Sequence, residues 1–111
     1  MNDCVFCRIV EGNEPTQFLY QDEDVVAFRD IHPQAPVHVL IIPKKHFANL
    51  NEITENDKML MGKIVYAAKI IALQEHISDS GYRLLVNNGA NANQAVNHLH
   101  FHLQGGKNLG L

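Results

Sequence analysis

The run Asn97-His98-Leu99-His100-Phe101-His102-Leu103-Gln104 fixes the fold class of this chain. Histidine alternates strictly with a large apolar residue from His98 to Leu103. Successive side chains of a strand point to opposite faces. His98, His100 and His102 are therefore expected on one face, with Leu99, Phe101 and Leu103 on the other, against a core. A helix would scatter the imidazoles by about 200° per step. At a rise of roughly 3.3 Å per residue, neighbouring histidines of the set lie about 6.6 Å apart and the outer pair about 13 Å. Two of them can share a metal ion or a substrate group. All three cannot ligate one ion at bonds of about 2 Å while the strand stays regular, so at least one has another task. A merely solvated strand face is the bland alternative, but such faces ordinarily mix Thr, Ser, Lys and Glu.

The rest of the composition narrows the class. With 111 residues and a formal net charge of −3, the chain suits a single domain, 1–111, burying roughly 65% of its unfolded surface. No basic excess argues for nucleic-acid binding. No apolar run approaches the ~20 residues of a membrane span. The first residues lack the basic-then-apolar layout of a signal peptide, so a cytoplasmic protein is expected, with neither nucleic acid nor membrane as partner. Cys4 and Cys7 are too close in sequence to form a disulfide framework.

Cys4 to Val10 reads as a short helix stopped by Gly12, with Phe6, Ile9 and Val10 available for burial. Its CxxC admits a redox reading, but no strand precedes it as that motif requires. A zinc half-site is the alternative, completed by two histidines. Phe18-Leu19-Tyr20 and Val25-Val26-Ala27-Phe28 form a hairpin through Gln21 to Asp24. Asp30 to Pro36 is a proline-rich loop. Val37 to Ile42 is a central strand ended by Pro43, and its His38 alone would pass for a core histidine.

Thr54-Glu55-Asn56-Asp57 starts a helix expected to run to about His76. It carries two apolar stripes: Leu60, Ile64, Ala67 and Ile71, then Met59, Tyr66, Ile70, Leu73 and Ile77. One covers the sheet. The second implies a partner surface, most simply another copy of the chain, unless the helix is buried all round. Tyr82 to Asn87 is a strand, and an amide-rich loop, Asn88 to Gln94, leads into the histidines. Five strands, one long helix and one short one, in mostly antiparallel connections, make an α+β fold.

Laid out this way, the chain resembles the histidine triad (HIT) superfamily, and within it the Hint-type nucleotide-binding proteins. His98 to Leu103 match the triad motif of histidines alternating with apolar residues. The likeness continues through Asp30-Ile31-His32-Pro33-Gln34-Ala35-Pro36-Val37-His38, Ile42-Pro43-Lys44-Lys45-His46, Gly81-Tyr82-Arg83 and Gly105-Gly106, and so covers nearly the whole chain. It implies a five-stranded antiparallel sheet with a long helix, a homodimer, and hydrolysis of purine nucleoside phosphoramidates through a nucleotidyl-histidine.

Carried over residue by residue, the resemblance makes His100 the nucleophile, its second ring nitrogen donating to a fixed acceptor such as a backbone carbonyl. His102 and His38 would hold phosphate oxygens and assist proton transfer. Asp30 would accept from the ribose hydroxyls. Phe6, Ile9, Phe28 and Ile31 would form the base slot, and Asn87 and Gln94 would reach the phosphate. Relatives with an N-terminal CxxC resemble zinc proteins, which implies structural zinc on Cys4, Cys7, His46 and His98. Three positions depart from the family pattern: Ala95 stands where a serine is usual, Gln104 where an apolar residue is, and Asn97 where an aromatic is common. Ala95 supports an alternative, a nucleotide-binding regulator with weak catalysis. A dinucleoside polyphosphate hydrolase is a further alternative, disfavoured by the lack of a long C-terminal extension.

Overall fold

The computed structural model describes residues 3–111. Five antiparallel strands lie in the order β1-β2-β3-β5-β4: β1 (Phe18–Gln21), β2 (Val25–Arg29), β3 (Val37–Pro43), β5 (Phe101–Gly105) and β4 (Tyr82–Val86). Asp22 sets the β1–β2 turn. Its carboxylate accepts from the N–H groups of Asp24 and Val25, both at 2.8 Å, an aspartate turn that replaces missing ladder bonds.

Both faces of the central strands are covered, which is why β2 and β3 read as continuous apolar runs. On one face Val25, Ala27, Val39, Ile41 and Leu103 pack against Ile64, Ala67, Ala68, Ile71 and Ala72 of the long helix α2 (Lys58–Gln74). On the other, Val26, Phe28, Leu40 and Ile42 meet Phe6 and Ile9 of the short helix α1 (Val5–Val10). The α+β architecture expected from the sequence is the one observed.

Two boundaries differ from expectation. Residues 55–57 form a 3-10 turn, with the Asp57 carboxylate accepting from the Thr54 N–H at 2.9 Å, and α2 starts only at Lys58. The histidine strand starts at Phe101, not His98. Continuing its register past Ile41↔Phe101 would set Leu99 opposite Pro43. Proline has no N–H for that ladder, so the chain leaves the sheet and Leu99 N–H donates instead to Phe47 O at 2.7 Å. The alternation survives: Leu99 and Leu103 are buried, and the rings of His100 and His102 stay adjacent, with centroids 5.1 Å apart.

The second stripe of α2 is also only partly as expected. Met59, Tyr66 and Leu73 are exposed, whereas Ile77 lies beyond the helix and is buried in the core. No helix among the described residues is long and apolar enough to cross a membrane.

Ile64 is fully buried between α2 and the sheet. Ile64→Ala should therefore lower unfolding free energy by about 2–5 kcal/mol. Exposed Lys69→Ala should stay within about 0.5 kcal/mol of the parent. Urea denaturation measures both, and a cost below about 1 kcal/mol for Ile64→Ala would contradict this packing.

Candidate active site and metal-ligating cluster

A cavity of about 510 Å³ opens on the α1 face of the sheet. Phe6, Ile9, Phe28, Leu40 and Val96 make apolar walls, and His100 and His102 stand with Ala95 among its lining. Ile31 lines it while 86% exposed. Asp30 lies at the rim, its Oδ1 accepting from the His32 N–H at 2.9 Å. Such walls suit a flat heterocycle, and a carboxylate has acceptor sites left for hydroxyls beside those it already uses.

The hydrogen bonds of the four histidines at this end assign their protons. His100 Nδ1 lies 2.7 Å from His98 O. A carbonyl only accepts, so Nδ1 carries a proton, and in the neutral ring the lone pair is on Nε2. That is the neutral tautomer a nitrogen nucleophile needs. The residue is buried, and the edge of Phe6 meets its ring at a centroid distance of 5.2 Å.

His38 and His102 form a second chain. The Gln34 N–H donates to His38 Nδ1 at 2.9 Å, so the His38 proton sits on Nε2. That Nε2 lies 2.9 Å from His102 Nδ1, which must accept, and the His102 proton is left on Nε2. This atom is buried without a partner. Buried donors of that kind are rare and call for an explanation. Burial lowers His38 below the usual histidine range, partly offset by Asp30. Burial, with the adjacent His100 and His38 rings, pushes His102 down to about 4. Both rings are neutral at pH 7, as the hydrogen bonds require.

Asp30 Oδ2 lies 3.4 Å from His38 Nε2, so Asp30, His38 and His102 bring three potential ligand atoms together. The Gln34 N–H argues against a metal there: with Nδ1 accepting, His38 Nε2 keeps its proton and has no lone pair to give. This trio is a hydrogen-bond relay.

Beside it, Cys4, Cys7, His46 and His98 place four ligand atoms within 4.8 Å of one another. Cys7 Sγ is 3.2 Å from His46 Nδ1 and 3.5 Å from His98 Nδ1. Cys4 Sγ is 3.4 Å from His98 Nδ1, and the two Nδ1 atoms are 3.1 Å apart. His98 Nε2 donates to Pro43 O at 2.9 Å, so its Nδ1 lone pair faces the two sulfurs. A tetrahedral ion with the usual bond lengths spaces its N and S donors about 3.3–3.6 Å apart. The cluster can hold a metal ion.

The structure thus gathers most of the residues singled out in the sequence into two adjoining groups. Asn87, Gln94 and His38 do not line the cavity, although His38 joins it through its contact with His102. Gln94 is taken up by its own loop: its oxygen accepts from Gly89 N–H and its amide donates to Ala48 O and Val96 O. With its donors and acceptor so engaged, the amide braces this loop. The Gln34 N–H and Pro43 O were invisible in the sequence, since any residue but proline brings the former and every residue brings the latter. Leu40 and Val96 could have been found from their positions beside His38 and Ala95.

A purine nucleoside phosphoramidase of Escherichia coli (strain K12) is 41% identical over 108 residues, covering 97% of this chain and 91% of that protein. The structure of a HIT family hydrolase from Clostridium thermocellum superposes with a TM-score of 0.96 at 47% identity, covering 100% of this chain and 96% of the other. A zinc-bound histidine triad family protein from Mycobacterium smegmatis has a TM-score of 0.81 at 31% identity, with 96% and 77% covered. The family model for the HIT domain matches residues 11–109, and the chain belongs to the HIT family.

Proposed function

We propose that this protein is a purine nucleoside phosphoramidase, the activity for which the Escherichia coli relative is named, and that residues 1–111 form one domain acting in the cytoplasm. The observation that carries the reading is the His100 tautomer. Its Nδ1 proton is committed to His98 O, so the Nε2 lone pair is available beside an apolar slot.

In the proposed reaction the base lies between Phe6, Ile9, Phe28 and Ile31, and Asp30 accepts from the ribose hydroxyls. His100 Nε2 attacks the α-phosphorus. As the N–P bond to His100 forms, the P–N bond to the leaving group breaks, and the departing nitrogen keeps the electron pair and takes up a proton. Water then attacks phosphorus, releasing the 5′-monophosphate and restoring the neutral ring. The His102 Nε2–H, buried and otherwise unpartnered, supplies a hydrogen bond to a phosphate oxygen as charge grows there. His38 holds His102 in that tautomer.

His100→Asn should bind AMP and lose turnover by about 10³-fold or more. Mass spectrometry of the parent, quenched during turnover, should show one covalent nucleotidyl group absent from the variant. A loss of only about tenfold, or 1.4 kcal/mol, would mean that water attacks directly. A parent that binds AMP without turning over any adenosine phosphoramidate would favour the nucleotide-binding regulator instead.

Zinc is the ion proposed for Cys4, Cys7, His46 and His98. The mixed thiolate and imidazole donor set suits it, and four protein ligands leave no open coordination position, so its role is structural. The purified protein should hold one zinc per chain. Cys4→Ser with Cys7→Ser should abolish it and lower the melting temperature by about 10 °C or more, while much of the activity persists at low temperature. Metal-free protein whose melting temperature zinc does not raise would remove the site.

A homodimer is proposed from the unpartnered side of α2. Met59, Tyr66 and Leu73 are 77%, 58% and 53% exposed, and β4 is an edge strand of the sheet, paired with β5 on one side. Pairing of two copies by α2 and β4 hides both apolar stripe and open edge. Light scattering at micromolar concentration should give twice the chain mass, and Tyr66→Glu with Leu73→Glu should shift it towards one. A monomeric parent would end this proposal.

A further inference from the structure

The His38 Nε2–H has three polar neighbours. His102 Nδ1 lies 2.9 Å away, Asp30 Oδ2 3.4 Å and the Gln104 amide nitrogen 3.4 Å. Register brings the third: Gln104 stands opposite His38 across β3 and β5, on the face that carries His102. It is half-buried and occupies the triad-motif position where an apolar residue is usual. With the Gln34 N–H on Nδ1, His38 Nε2–H can only donate. Two donors make no bond, but a half-turn of the amide, whose two ends share one shape, presents Oε1 instead. Arg83, opposite Gln104 on β4, donates elsewhere, to Gly110 O.

That acceptor matters when His102 takes up a second proton. Its Nδ1 accepts from His38, so an imidazolium there sets two N–H groups against each other. His38 cannot yield by changing tautomer, because the Gln34 N–H occupies its other nitrogen. In the proposed complex the Asp30 oxygens accept from ribose hydroxyls. Gln104 Oε1 is then the acceptor left for the displaced His38 N–H. We propose that Gln104 is a positioning residue of the reaction: acting through His38, it lets His102 hold protons on both ring nitrogens. Resting on the nucleotidyl-transfer reading, this assignment gives the departing nitrogen its proton source. The His102 Nε2 proton passes to that nitrogen as the His100 N–P bond forms and the P–N bond to the leaving group breaks. His102 is left neutral, with its proton on Nδ1. In the second step the water that attacks phosphorus gives a proton to Nε2, and the imidazolium is regenerated. Facing the His102 ring are His100 from its own segment, His38 from β3 and Asp30 from the loop before β3. β4 sets uncharged Leu85 opposite it, and exposed His32 lines the cavity from the same loop as Asp30. Burial and the two rings hold His102 at about 4 against the pull of Asp30; a bound phosphate anion raises it, since opposite charge favours the cation.

The test compares kcat for adenosine 5′-phosphoramidate with kcat for the nitrophenyl ester of AMP, whose phenolate departs without a proton. Gln104→Leu should slow the phosphoramidate about tenfold or more relative to the ester, with KM little changed. Gln104→Glu keeps an acceptor oxygen and should give a ratio at or above that of the parent. Nitrogen NMR of histidine-labelled protein with AMP bound should place the His102 protonation midpoint about one unit lower in Gln104→Leu than in the parent. An equal ratio in parent and Gln104→Leu overturns the assignment and leaves the hydrolase reading intact. Coincident midpoints, or a Gln104→Glu ratio as low as that of Gln104→Leu, do the same. A parent that turns over neither substrate overturns the hydrolase reading and this assignment with it. Should Gln104→Leu fold poorly, Gln104→Met, unbranched and without the acceptor, takes its place in both measurements.

Discussion

His98 is the residue on which the site depends, because its backbone and both ring nitrogens are each committed to a different task. Nε2 donates to Pro43 O, which ties the segment to the end of β3. Nδ1 faces the Cys4 and Cys7 sulfurs and His46. The carbonyl accepts from His100 Nδ1 and so orients that ring. The first bond forces the second: once Nε2 carries the proton, Nδ1 can only offer a lone pair. With the residue fully buried, an unpaired nitrogen would cost on the order of 1–3 kcal/mol. The arrangement is therefore held in one state, and the Cys/His cluster and the His100 ring share one anchor.

The second chain of bonds works by the same logic from another backbone group. The Gln34 N–H belongs to the loop between the Asp30 carboxylate and β3, so one turn places both the acceptor expected to meet ribose and the donor that orients His38. Charging either ring would break this order, since an imidazolium has no acceptor for its neighbour. Low dielectric opposes it too, which is the reason burial is the leading cause of the depressed His38 and His102 values. The buried His102 N–H is the last donor of that order, with no acceptor among its neighbours.

Much of this was legible in the sequence because period-two alternation, CxxC spacing and a turn aspartate are local signals. The alternation of His98 to Leu103 gave the sheet face correctly even though only Phe101 onward joins the ladder, since face depends on side-chain direction and not on pairing. The early end of the ladder was harder to foresee, because it depends on which residue of another strand sits opposite; only the register shows that it is Pro43. Ile77 was assigned to the wrong stripe for a similar reason. The helix stops at Gln74, and His76, with φ of 61°, turns the chain so that Ile77 faces the core. The bracing bonds of Gln94 were hidden for the same reason: they depend on the carbonyls of Ala48 and Val96, one of them distant in sequence.

The base slot has a wall that cannot stand alone. α1 has six residues, and an isolated helix of that length is unstable in water. Packing and a cap hold it. Phe6 packs edge-on against Phe28 and His100, at centroid distances of 5.6 and 5.2 Å, and Cys4 caps the helix by accepting from the Cys7 N–H at 3.3 Å. Both cysteines also face His98. The helix is thus clamped at its start to the residue that sets the His100 tautomer, and along its side to His100 itself. A wall built on such a clamp cannot shift without moving His98, the hydrogen-bond partner of His100. The α1 wall and the His100 ring therefore form one packing unit on this face of the sheet.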